Sequence, residues 1–168
     1  MQGGAESYAA LHYDRLATGP EYRSGEDVRA LFYDANPLSV YVLTPSGEPL
    51  ALSADGDCES RIVTPLGLRI AQSGEVTLEF TGLERFGHDV YLIDREKNLE
   101  TGLQQTPSYT FMAVRPSITP VLELNRRFAL RTVYTGTGLG NAPAPAAPAS
   151  WTVTPQNGEI HVRAVTGV

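Results

Sequence analysis

Apolar residues along this chain recur at every second position, in short runs that Gly, Pro, Asn or Asp cut off before helical length is reached. Alternation of that kind sends successive side chains to opposite faces of an extended backbone, the pattern of a half-buried strand. The clearest run sets Val76, Leu78 and Phe80 against Thr77, Glu79 and Thr81, and Leu66, Leu68 and Ile70 repeat it. Further runs cover residues 7–14, 39–44, 50–52, 89–94, 108–114 and 127–134, with Pro45-Ser-Gly-Glu48 as a turn between two of them. Eight or nine strands at a spacing of ~10–15 residues predict an all-β fold, an antiparallel β-sandwich of jelly-roll or immunoglobulin-like type with little or no helix. One helical turn is the most that residues 25–32 offer.

The 168 residues suit one domain, or one domain with an appendage, and 42% hydrophobic content is enough for one core. A net charge of −6 leaves no basic excess for phosphate neutralisation, which excludes nucleic acid as a partner. No apolar stretch approaches the ~18 residues of a membrane-spanning helix. Cys58 is the only cysteine, so an intramolecular disulfide and a Cys-based zinc site are both excluded. The first residues, Met1-Gln-Gly-Gly-Ala-Glu6, lack the basic and apolar regions of a signal peptide. The expectation is therefore either a cytoplasmic chain or a segment of a longer secreted protein.

Composition divides the chain. Residues 1–134 read as the sandwich module. Residues 135–150 are Gly-, Ala- and Pro-rich, without alternation, and read as a linker. Residues 151–168 return to strand patterning but supply only two strands, too few to fold alone. They read either as the stub of a C-terminal domain or as strands that dock on the module, with self-association through the C-terminal strand as one outcome.

The stretch His88-Asp-Val-Tyr-Leu-Ile-Asp-Arg-Glu-Lys-Asn-Leu-Glu-Thr-Gly-Leu103 resembles a segment of many Bacteroidota cell-surface proteins. There it is followed by a Tyr-Thr-Phe strand and an Arg-Phe-x-Leu-Arg strand, here Ser108-Tyr-Thr-Phe111 and Arg127-Phe-Ala-Leu-Arg131. Residues 24–31 and Pro65-Leu-Gly-Leu68 take the places of two upstream segments, so the resemblance spans residues 5–134. Val153-Thr-Pro-Gln-Asn-Gly-Glu-Ile-His-Val162 is similar to the opening of a type IX secretion C-terminal sorting domain, which in that family follows the sandwich and runs on for some tens of residues. The resemblance implies a non-catalytic spacer or interaction module of a secreted or outer-membrane-surface protein. Its partners would be other domains of a longer parent protein, the secretion machinery, and a glycan or protein ligand in adhesion.

Three constellations bear on chemistry. Asp55-Gly-Asp-Cys-Glu59 places the carboxylates of Asp55, Asp57 and Glu59 around a glycine, as part of a calcium loop would. It lacks the remaining ligands and reads first as a solvated turn, so no cofactor is expected. Tyr22, Phe32, Tyr33 and Trp151 lie near turns and are the candidate stacking platforms of a carbohydrate- or host-ligand-binding sandwich. A small hydrolase is the remaining alternative, but His12, His88 and His161 are scattered and no nucleophile elbow accompanies them. No catalytic residue is assigned.

Overall fold

The computed structural model describes residues 4–13, 17–33, 36–55, 63–85, 88–134 and 158–167. The strands are β1 (Glu6–Tyr13), β2 (Val28–Arg29), β3 (Leu38–Leu43), β4 (Pro49–Asp55), β5 (Val63–Ile70) and β6 (Gly74–Thr81). They continue with β7 (His88–Asp94), β8 (Leu99–Gly102), β9 (Ser108–Ala113), β10 (Leu122–Glu123), β11 (Phe128–Tyr134) and β12 (Gly158–Thr166). A 3-10 turn, Leu83–Arg85, is the one helical element among the described residues. The protein is all-β.

The ladder runs unbroken in the order β8-β7-β11-β5-β3-β4-β1-β12-β6-β9, with β10 joined to β5 and β2 to β4. This is one curled mixed sheet, and its hydrogen bonds do not divide it into the two antiparallel sheets expected of a sandwich. The departure from antiparallel order is β1 against β4, which run parallel from Ala10↔Leu52 to Tyr13↔Asp55. The curl brings the two ends of the order over one another. The Phe111 ring on β9 lies 4.8 Å from Phe128 on β11, and Tyr109 lies 6.0 Å from the same ring.

Alternation decides which faces meet. Val76, Leu78 and Phe80 point into the core, as do Val90 and Leu92 and, beyond them, Leu103. Leu99, which the pattern also points inward, is 46% exposed because β8 is the last strand on its side of the sheet. β3 is buried at every position. On its outer face Tyr41 lies over Gly67 of β5, where any side chain would meet the ring. The helical turn expected over 25–32 is replaced by a turn at Gly25 (φ 97°) and the short strand β2. The reason is Asp27, whose carboxylate accepts from the Arg23 N–H at 2.6 Å and the Ala54 N–H at 2.7 Å, tying this segment to β4 instead of to itself.

The C-terminal strand, expected either as a stub or as a strand docked on the module, is part of the sheet itself. β12 lies inside the sheet, antiparallel to β1 on one side and to β6 on the other. Ile160, Val162 and Ala164 are fully buried in the common core. Burying an Ile or a Val is worth roughly 1.5–3 kcal/mol each, so the strand is a core component. At its far end the Thr166 N–H donates to the Ala5 carbonyl at 2.9 Å, and the Ala5 N–H donates to Thr166 Oγ1 at 2.8 Å. Residues 135–150, read as a linker, lie outside the described residues.

Candidate functional site

Loop 17–33 carries three of the four aromatic residues singled out from the sequence. It is fastened to the sheet at several points. Besides the Asp27 bonds, Glu21 accepts from the Ser46 N–H and hydroxyl at 3.1 and 2.7 Å. Within the loop, Glu26 accepts from the Thr18 N–H and hydroxyl at 3.0 and 2.8 Å. Tyr22 is not an open platform, because the Arg29 guanidinium lies 3.8 Å from its ring centre and itself pairs with Glu48. Phe32 packs edge-on against Tyr41 at 5.0 Å, with Arg69 over its ring at 5.3 Å. Tyr22 and Phe32 are thus held on two separate anchors. Tyr33 is 60% exposed, and Val28 and Leu31 on the same loop are exposed as well. Trp151 lies outside the described residues.

The calcium candidates divide likewise. Asp55 closes β4 and is fully buried, which corrects the solvated turn expected at that position. It follows Ala54 into the sheet, where Tyr13 is its register partner. Asp57 and Glu59 lie outside the described residues. Among the described residues no three His, Cys, Asp or Glu side chains gather as metal ligands.

A cleft of about 220 Å³ opens on β7 and β8, lined by Asp89, Tyr91, Gly102, Gln104 and Gln105. Antiparallel pairing sets Tyr91 opposite Gly102, which leaves room beside the ring. Gln104 is locked in place: its Oε1 accepts from the Val90 N–H at 3.0 Å and its Nε2 donates to the His88 carbonyl at 2.8 Å. Arg131 covers Tyr91 at 4.6 Å while pairing with Glu100 at 2.6 Å. The sequence gives no hint of this cleft, because only the register of two strands assembles it.

An electrostatic cluster joins β7 and β9 to Arg127 at the start of β11. Buried Asp94 accepts from Arg127 Nη2 at 2.9 Å, from the Tyr109 hydroxyl at 2.8 Å and from the Glu96 N–H at 3.0 Å. Arg127 lies over the touching rings of Phe111 and Phe128, 4.7 and 4.9 Å from their centres. Burial pushes the Asp94 carboxyl upward, but the bonds from Arg127 and Tyr109, the arginine charge and the Lys97 N–H outweigh it and hold the group below the usual aspartate value. The Tyr109 phenol moves up, through burial and then its bond to Asp94. A second fastener is Arg163 on β12, which pairs with Glu6 on β1 at 2.7 Å and Glu79 on β6 at 2.9 Å. That pairing raises Arg163 and lowers Glu6. These groups are spent on one another as links between strands.

The chain matches no protein-family model, no curated protein and no solved structure.

Proposed function

We propose that the chain is a non-catalytic interaction module of a secreted or surface-attached bacterial protein. The observation that carries the reading is the exposure of Val28, Leu31 and Tyr33 on a loop that hydrogen bonds tie to β4 and to the turn before it. Apolar side chains held out on a fixed loop supply contact area without an ordering cost, which is what a binding surface needs. The type IX secretion setting rests on the resemblance of residues 88–131 and of the tail, and with it the partnership with other domains of a longer protein.

The test is binding of the fluorescently labelled full chain to bacterial and host cell surfaces, beside a Leu31→Ser/Tyr33→Ser variant. Saturable binding that the variant loses supports the reading. Equal binding by both, or binding by neither, overturns it. A carbohydrate-binding reading is favoured by one further observation, the cleft whose Gln104 amide is preset between Asp89, Tyr91 and Gln105. Retention on a glycan array that Asp89→Ala abolishes and Leu31→Ser/Tyr33→Ser leaves intact would assign the ligand to the cleft.

A further inference from the structure

β12 is paired on both sides like the other inner strands but is set apart by its connection. It lies between β1 and β6, hydrogen-bonded along both sides, yet it follows β11 only after the stretch 135–157. Without β12 the path would break in its interior. β1 and β6 would each present an unpaired edge, and the space filled by Ile160, Val162 and Ala164 would open into the core. An open edge above an apolar slot is the geometry that accepts an added strand.

The slot also reads the strand's sequence. Its inner face takes Ile160, Val162 and then the small Ala164. Its outer face takes a positive charge between Glu6 and Glu79, and its end takes the hydroxyl of Thr166 at Ala5. The backbones also pack closely at both ends of the slot. A side chain at Gly82 would strike the Glu159 carbonyl, and one at Gly4 the Thr166 carbonyl.

We infer that the gap between β1 and β6 is a strand-acceptor site, and that it takes β12 of a second copy of this chain in place of its own. The second copy is the occupant because its β12 carries the one sequence whose fit to the slot is on display. The stretch 135–157 limits the reach of β12 from β11 to roughly 75–80 Å, enough for a neighbouring molecule. An exchanged strand makes the same contacts as a resident one, so the balance is set by concentration alone. A tethered strand has an effective concentration on the order of 1 mM, so single copies dominate at micromolar levels and exchange rises where copies are crowded together.

The experiment pairs two full-length proteins, both carrying Cys58→Ser. One carries Ala10→Cys on β1 and the other His161→Cys on β12; the two positions are register partners on the outer face. The proteins are mixed, incubated near the midpoint of a urea transition, returned to buffer and oxidised. The expected result is a disulfide-linked heterodimer on a non-reducing gel, its fraction rising about tenfold for a tenfold rise in total concentration below the effective concentration of the tether. Arg163→Glu in the His161→Cys protein, combined with Glu6→Arg and Glu79→Arg in the Ala10→Cys protein, should raise the yield, because each strand then meets opposite charges only in the partner's slot. A mixture of Ala10→Cys with Glu96→Cys, in the exposed β7–β8 turn, supplies the level of random collision. A heterodimer yield no greater than in that mixture, or one independent of concentration, overturns the proposal.

Discussion

The Tyr109 hydroxyl donates to Asp94 Oδ2 at 2.8 Å, joining β9 to β7 across the curl of the sheet. These strands stand last and second in the ladder order, so this bond links opposite ends of the structure. Tyr109→Phe removes a hydrogen bond to a charged acceptor and is expected to cost roughly 1.5–3 kcal/mol in urea unfolding. Asp94→Asn also leaves Arg127 buried without its inner partner, although Glu96 remains 2.7 Å away, and should cost about 3 kcal/mol or more. If Tyr109→Phe unfolds at the parent urea midpoint, the bond does not hold the curl.

The same pair sets the acid limit of the fold. Asp94 titrates lower folded than unfolded, so its contribution is complete above the unfolded value near pH 4 and fades as pH falls through the folded one. Melting temperatures should hold above about pH 4 and drop below it. In Asp94→Asn that part of the drop should be missing.

At the alkaline end Tyr41 takes over. Burial, and then the charge of Glu123, push its phenol up to about 12, and its hydroxyl donates to Asn125 at 2.6 Å. A phenol raised in the folded state stabilises fully below its unfolded value near 10, and this is lost as pH rises through the folded value. Tyrosinate absorbance should therefore show a late component, to which Tyr109 also contributes, and Tyr41→Phe should remove the Tyr41 share of it. A complete titration by pH 11 would contradict the burial described for this ring.

Gly67 is the partner position to that ring. A Cβ there would lie 2.0 Å from Tyr41 Cε2, so the ring must leave its place. Gly67→Ala should destabilise by about 1–3 kcal/mol and advance the Tyr41 titration toward the ordinary value. A neutral substitution would mean that the ring has somewhere else to go.

Ile160 tests whether the C-terminal strand belongs to the core. Ile160→Ala should cost about 2–5 kcal/mol in denaturant unfolding, whereas Ile118→Ala, at a side chain 91% exposed, should cost nothing measurable. Equal, small effects at both positions would remove β12 from the cooperative unit.

The strands were legible because each carries its own period of two: residues 76–80, 66–70 and 89–94 show it, and their faces agree with the burial found. Pro45-Ser-Gly-Glu48 was legible as a turn for a local reason, Gly47 taking a positive φ of 90°. Asp94 was readable as a loop-capping acceptor, since it follows a strand and precedes a charged turn. Order and partners were not readable. Nothing within residues 158–166 says that the strand enters between β1 and β6 in preference to an edge, because an inner and an edge strand share the same alternation. Tyr22 and Phe32 looked like open platforms because alternation does not show the arginines that cap them, Arg29 seven residues on and Arg69 on β5. The cleft at Asp89 and Gln104 was invisible for the same reason.

The clasp between Ala5 and Thr166 has a mechanical consequence. β1 and β12 are antiparallel, so polypeptide joined before Gly4 or beyond Gly167 would leave from one corner. Tension between those two exits acts along the cross-strand hydrogen bonds, which lie perpendicular to the strands, and breaks them one at a time from Glu6↔Val165 toward Tyr13↔Gly158. Strands loaded from opposite ends share the force over the whole ladder; these peel. Pulled through its two exits the domain yields at low force and pays out length early, which makes it a compliant element and not a strut.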